Sequence, residues 1–371
     1  MTPSYVLGVA LSPSALAVRD RRNEELAFET VRQALARAGV RREEIDAVTL
    51  ATSDEMDGRS ISSMLMAAPS GSYLKDELRV TDSGLTGLVM GAMRIGSGRF
   101  HLGIVVSWSQ TSQIDVDALT RMRAEPFVLR PIGLNGPIAD GLQAGAQQRR
   151  LGLTDHDVAK RVVERQQQAR RNPRGLRLAP EAVEAVADSE VLAWPLRRGH
   201  AARASDGCVA FVIASGDWLR RHPGHRPMAR LSGMAWGIDR YALDADRLGA
   251  GTLFSDTLAD ALRRSGRPAD AGIDVLELEA QNAWQDLAMA GDAARSRRIG
   301  AISPSGGTWA QNPLFCTGLV NAAEAVLQVS AEAGEVQVPN ARFAVAHGSH
   351  GFAQQGHTFI TFEQVDAQEL S

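Results

Sequence analysis

The sequence predicts an α/β fold in which one strand and helix unit is used twice. Three observations carry this expectation. Apolar strand-like runs alternate with amphipathic helical stretches along the 371 residues, the order expected of layered sheets with crossover helices. The run from His101 to Trp108, HLGIVVSW, is apolar almost throughout, as a strand covered on both faces must be. Gly39 followed by Ile45-Asp46-Ala47-Val48 returns in the second half as Gly266 followed by Ile273-Asp274-Val275-Leu276, which marks an internal repeat.

The elements follow in chain order. Tyr5 to Ala10 reads as a first strand, and Asn23 is placed to cap a helix whose Phe28, Val31 and Leu35 fall at helical spacing. Gly39 supplies its left-handed stop. After the β-rich Ile45 to Leu50, the strand Glu77 to Val80 feeds into Thr81-Asp82-Ser83-Gly84 and a helix carrying Leu85, Leu88, Val89, Ala92 and Ile95 on one stripe. A long helical segment begins at a capping box of Thr154 and Asp157, followed by the apolar strand Cys208 to Ile213. In the second half come a helix from Leu253 to Arg264, the strand Ile273 to Leu278, a helix from Thr317 to Val329, and strands opening at Phe343 and closing at Phe362. The two units are expected to span residues 1–230, including the helical, Arg-rich insertion, and 231–371.

Composition excludes several classes. The formal charge of −3 leaves no basic field for nucleic acid, and no run of about 18 apolar residues offers a membrane span. Cys208 and Cys316 lie far apart with no CxxC, so neither a disulfide framework nor a zinc site is expected, and a cytoplasmic setting fits. His222 and His225 lack a Cys or acidic companion and read as a turn rather than a metal site.

The ordered markers Thr81-Asp82-Ser83-Gly84-Leu85, Asn172-Pro173, Pro195-Leu196, Ser205-Asp206-Gly207, Ser303-Pro304-Ser305-Gly306-Gly307 and Ala346-His347-Gly348 resemble the thiolase superfamily, specifically its sterol-carrier-protein-x-like, lipid-transfer type. The resemblance implies a five-layered αβαβα fold of two similar halves, normally dimeric, with the site at the helix N-termini of both. It also implies a coenzyme A thioester as substrate, with no bound cofactor or metal.

The resemblance then assigns positions. Family members place a nucleophilic Cys at the elbow, in a motif like C-x-S-G; here that position is Thr81, an alcohol with no adjacent base. Ser83 reads as a helix-start residue. In Gln311-Asn312-Pro313-Leu314-Phe315-Cys316-Thr317-Gly318, Asn312 stands where the family has a His, so it can donate to an oxyanion without shuttling protons. His347 matches the C-terminal base, while its competing role is a hydrogen bond to a neighbouring loop. His350 occupies the place of a Gly and is expected to shape the turn or close the pocket. Ser305, Gly306, Gly307 and His350 are the expected thioester-binding positions. Glu277-Leu278-Glu279-Ala280-Gln281-Asn282 fits the family's E-L-H-D-A-F stretch poorly, with Asn282 a candidate for holding a water. Cys316 is either a small buried filler or a reactive thiol. Arg161, Arg165, Arg170, Arg171, Arg174 and Arg177 either bind coenzyme A phosphates or form a solvated face.

The implied activity is C–C cleavage or acyl transfer on an acyl-CoA, with retro-aldol chemistry favoured over acyl-cysteine chemistry. Relatives of that type use tyrosines for proton transfer, whereas Tyr5, Tyr73 and Tyr241 all fall outside the matching motifs. The alternative is a non-catalytic subunit supporting a catalytic thiolase. Expected partners are a second thiolase-fold chain, as homodimer or heterodimer, and a small zinc-ribbon and OB-fold protein. The strand His101 to Trp108 is expected near the subunit interface, because it is too apolar for a free edge.

Overall fold

The computed structural model describes residues 3–58, 60–268 and 270–366; the outermost residues of the two expected halves, 1–2 and 367–371, lie outside the described residues. Ten strands form one sheet: β1 (Ser4–Leu11), β2 (Ala47–Ala51), β3 (Asp76–Val80), β4 (Leu102–Gln110), β5 (Asp206–Ser215), β6 (Ala229–Ile238), β7 (Ile273–Glu277), β8 (Ile299–Ile302), β9 (Phe343–His350) and β10 (Gly356–Glu363). Their order is β8-β7-β9-β10-β6-β1-β5-β4-β2-β3. Read outward from the centre, each half has the same sequence of strands, first, fifth, fourth, second, third. The senses also repeat: β2 runs parallel to β3 and β4 while β5 is antiparallel to β4 and β1, and β7, β8, β9, β10 and β6 follow the same scheme. The halves join where Ser4, Tyr5 and Val6 pair antiparallel with Leu231, Arg230 and Ala229.

The principal helices are α1 (Asn23–Ala38), α2 (Gly84–Gly96), α3 (Gly136–Leu151), α4 (Asp155–Arg171), α5 (Thr252–Arg264), α6 (Ala283–Ser296) and α7 (Thr317–Val329). Three apolar clusters separate five layers. Leu26 and Val31 of α1 pack on Leu7, Ile104 and Val212. Leu88 of α2 and Val326 of α7 pack together between Val105 and Phe211 on one side and Ala344 and Phe362 on the other. Phe254 of α5 and Met289 of α6 cover Val345 and Phe359. The αβαβα arrangement follows, and it explains why every residue of α7 is buried and why β4 and β5 are apolar on both faces. Full burial of each large aliphatic side chain is worth about 1.5–3 kcal/mol.

Two local expectations are corrected. Asn23 is the first residue of α1 rather than its cap; Arg22 holds the cap position, with its N–H donating to Glu25 at 2.9 Å. Gly39 ends the helix in the left-handed conformation, φ 67°. The strand at His101 to Trp108 begins at Leu102 and lies between β2 and β5, so its apolarity is satisfied by this chain's own helices and calls for no subunit contact. The free edge of that half is β3, whose Asp76 and Glu77 are exposed. The insertion between β4 and β5 carries α3 and α4, which pack through Ala144, Val158 and Val162 against Trp284 of α6. Among the described residues no helix is long and apolar enough to cross a membrane.

Candidate active site

The elbow after β3 leaves Thr81 and Asp82 exposed. Ser83 caps α2, its hydroxyl accepting from the Thr86 N–H at 3.2 Å. The Gly84 N–H donates to the Phe315 carbonyl at 2.9 Å, which ties the elbow to the turn before α7. That turn is rigid at Asn312. Its N–H donates to Ser205 Oγ at 2.9 Å, and its side chain exchanges hydrogen bonds with Gln281, Nδ2 to Oε1 at 2.8 Å and Gln281 Nε2 to Oδ1 at 3.2 Å. Thr317 Oγ1 also donates to Asn312 Oδ1.

Where α2 and α7 begin side by side, the structure places Glu279. Its carboxyl accepts from the Ser349 N–H at 3.1 Å and from Gln281 Nε2 at 3.4 Å. The space is small: a Cβ at Gly318 would lie 3.0 Å from Glu279 Oε2 and 2.9 Å from the Gly348 Cα. Burial raises the Glu279 pKa to about 8, against the lowering effect of the Ser349 and Gly318 N–H groups. The group is therefore a neutral acid at pH 7, able to give a proton. Sequence reasoning missed it, although Glu279 stands at the His position of the E-L-H-D-A-F comparison. Asn282 caps α6 through the Gln285 N–H at 3.1 Å.

Strand alternation decides between the two histidines of β9. Ala344 and Ala346 face the central helices, whereas Phe343 and Val345 face α5. His347 follows the second set. Its ring is fully buried against Phe254 and Phe359, Nδ1 accepts from the Glu279 N–H at 3.2 Å, and Nε2 lies 2.9 Å from His357 Nδ1. Burial, with His357 beside it, holds its pKa well below 6.5. Both ring nitrogens are engaged within the protein, which matches the competing role, a structural hydrogen bond, and leaves neither free for the expected base role.

His350 falls on the elbow side. It is half-buried, its Nδ1 has no hydrogen-bond partner, and its charged neighbours are Asp82 and Arg123. Desolvation, reinforced by Arg123 and opposed by Asp82, holds its pKa below 6.5. This is a neutral imidazole at the site mouth.

The other expected positions are spent internally. Ser305, Gly306 and Gly307 are buried: Ser305 Oγ donates to Glu277 at 2.6 Å, and the space for a Gly306 side chain is filled by Ala169 of α4, 2.5 Å from its N. Ser305, Gly306 and Gly307 thus meet this chain's own groups, while Pro304 between them and Ser303 is half-buried. Arg165 and Asp286 form a buried ion pair at 2.9 Å, Arg161 also reaches Asp286 at 3.5 Å, and Arg174 pairs with Glu324. Arg161, Arg165 and Arg174 thus spend their charge on carboxylates of this chain, whereas Arg170, Arg171 and Arg177 are exposed, as the solvated-face reading has them. Cys208 and Cys316 are free and buried; burial pushes the Cys208 thiol up to about 12 and Cys316 well above its usual value. Cys316 is the small filler. His222 stacks on Trp218, the His225 N–H donates to the His222 carbonyl at 3.1 Å and closes a turn, and His225 Nε2 donates to the Gly39 carbonyl.

Residues 284–363 match the family described as Thiolase C-terminal domain-like. An acetyl-CoA acetyltransferase of Methanothermobacter thermautotrophicus is 26% identical over 294 residues, covering 72% of this chain and 74% of its own. In sequence over its C-terminal part and in fold throughout, the chain is similar to the thiolase superfamily. Among solved structures, the Ltp2-ChsH2(DUF35) aldolase superposes with a TM-score of 0.77 at 19% identity, over 100% of this chain and 99% of the other. A monomeric SCP2-thiolase like protein type 1 of Mycobacterium smegmatis gives 0.73 at 18% identity, over 98% of this thiolase-like chain and 78% of its own. The acetyl-CoA acetyltransferase of Syntrophomonas wolfei gives 0.77 at 16%, over 98% and 100%. At these identities the superpositions establish the fold.

Proposed function

We propose that this thiolase-like chain binds a β-hydroxyacyl-CoA and cleaves its Cα–Cβ bond by a retro-aldol route, with no acyl-enzyme. The observation that carries the reading is a protonated carboxyl, Glu279, at the junction of two helix N-termini in a site whose elbow presents Thr81 and whose only cysteines are buried. His350 takes the proton of the β-hydroxyl. The Cα–Cβ bond breaks, its electron pair passes into the thioester as an enolate, and the β carbon leaves as a carbonyl compound. The second N–H of the Asn312 amide, with the positive ends of α2 and α7, holds the enolate oxygen. Glu279 protonates Cα to give the shorter acyl-CoA, and solvent returns the proton from His350 to Glu279. Thr81 orients the thioester from the elbow without attacking it. His347 acts through the Glu279 backbone, as a positioning residue. Glu279 thereby fills the proton-donor role that relatives give to tyrosine.

The name of the aldolase neighbour supports this class of reaction, and the acetyltransferase relative supports an acyl-CoA substrate. The pairing of Ltp2 with ChsH2 in the neighbour is compatible with a small zinc-ribbon and OB-fold partner here, beside a second thiolase-fold chain. Two free, buried thiols fit a reducing cytoplasm. The second reading, a non-catalytic subunit, is favoured by Asn312 in place of an imidazole.

Purified protein supplied with a β-hydroxyacyl-CoA, or with a β-ketoacyl-CoA and coenzyme A, separates the readings. Release of a carbonyl compound and a shorter acyl-CoA from the hydroxy substrate alone is the expected result. Thiolysis of the keto substrate contradicts the proposal, and silence with and without partners leaves the subunit reading.

A further inference from the structure

The histidine that the elbow does not use leads to a cavity. The Glu279 backbone N–H can only donate, so His347 Nδ1 accepts and His347 carries its hydrogen on Nε2. That hydrogen is given to His357 Nδ1, so neutral His357 in turn carries its own on Nε2. No hydrogen-bond acceptor for that N–H is found among the described residues. His357 is 6% exposed and lines a cavity of about 390 Å³ between α3, the N-terminus of α5 and α6, a volume at the small end for ligand pockets.

The remaining walls define what fits. Leu253, Phe254 and Met289 supply apolar surface. Arg150, the interior guanidinium, is neutralised by Asp292 through contacts of 2.8 and 3.0 Å, while Arg247 donates to the carbonyls of Phe352, Ala353 and Ala242. Gln147, 4% exposed on the same face of α3 as Arg150, has an Oε1 with no partner. The cavity thus offers His357 Nε2–H and the unpartnered Arg150 Nε–H as donors and Gln147 Oε1 as an unmet acceptor, while its other charged side chains, Asp239, Arg240, Asp246, Arg247 and Asp256, are half-buried or exposed.

We infer that this cavity binds an uncharged, largely apolar molecule carrying a hydroxyl or carbonyl oxygen, which accepts from His357 Nε2–H and, as a hydroxyl, donates to Gln147. Such a group has two sources, a free alcohol or ketone, or the far end of the acyl chain of a thioester. The inference rests on the cavity and stands apart from the retro-aldol reading.

The test is the Nε2–H resonance of His357 in protein labelled with ¹⁵N-histidine, titrated with cyclohexanol, 3-hydroxybutyryl-CoA or 3-hydroxyoctanoyl-CoA. The expected result is a saturable shift with cyclohexanol, which identifies a free-molecule site, or with the eight-carbon but not the four-carbon thioester, which identifies an acyl pocket. In Leu253→Trp, a change at the half-buried rim that fills the cavity while leaving the histidine pair in place, the shift is lost. No shift with any probe, or an equal shift in Leu253→Trp, overturns the inference. Turnover of 3-hydroxybutyryl-CoA, measured beside it, reports on the proposed reaction alone.

Discussion

The ring of His350 occupies the space in which a side chain at Gly356, its partner across the β9–β10 ladder, would begin: a Cβ there would lie 2.2 Å from His350 Cε1 and Nε2. Gly356 therefore leaves the room that the ring fills, while strand alternation sets the side on which it lies. Gly356→Ala is expected to cost about 1–3 kcal/mol, the usual range for overpacking, and to lower kcat/KM by displacing the ring. In a double-mutant cycle by chemical denaturation, His350→Ala should abolish the stability cost of Gly356→Ala; an undiminished cost would show that the ring is not the obstacle.

His347 has the opposite character. Replacing it by Ala removes the acceptor of the Glu279 N–H and the partner of His357 inside a packed layer. A loss of about 2–4 kcal/mol is expected, from an orphaned buried donor and a cavity together. Urea unfolding of His347→Ala measures it, and wild-type stability would return His347 to a role in direct contact with substrate.

Arg165 and Asp286 give a third expectation. Arg165→Ala leaves a carboxylate in a site where both partners are 2% exposed, a change that costs about 3–5 kcal/mol. Isothermal titration of the folded fraction should find acyl-CoA affinity unaltered; a selective loss of affinity with full stability would restore a phosphate-binding role.

Stability should pass through a maximum on the acid side of neutrality. Burial raises Glu279 to about 8 and Glu277 to about 7, so the folded state holds protons that the unfolded state releases near 4.5, and stability falls as pH rises from there through 7 and 8. His347 is lowered, and His357 is lowered to about 3. Here the unfolded state binds the extra protons, and stability falls as pH drops below 6.5. Each proton of difference tilts the curve by about 1.4 kcal/mol per pH unit. A Tm measured from pH 4 to 9 should peak between about 4.5 and 6.5; a Tm rising steadily to pH 9 would contradict the protonated carboxyls.

Much of the fold is legible in the sequence. The stripe from Leu85 to Ile95 carries helical periodicity strong enough to fix α2, the long apolar run from Thr317 to Val329 reads as α7, and the doubly apolar β4 announces helices on both of its faces. The site was harder to read, because its decisive facts are long-range. That β9 continues as regular strand through His350 sets which histidine meets the elbow, and a shift of one residue exchanges the two faces. The state of Glu279 depends on burial between two helices that are more than 200 residues apart in the chain, and Arg165 reads as a surface charge until Asp286 is brought beside it.

In the proposed reaction a neutral Glu279 gives the proton that a site with no thiol at its elbow requires. The pH dependence of kcat/KM for β-hydroxyacyl-CoA cleavage, in wild type and Glu279→Gln, tests it most directly. Wild type should give a bell whose acid limb lies below 6.5, where His350 protonates, and whose alkaline limb lies near 8, where Glu279 ionises. Glu279→Gln should lose about a hundredfold or more in rate, the usual size of a general-acid contribution, and with it the limb near 8. A Glu279→Gln enzyme that keeps its rate, or keeps that limb, would contradict the account.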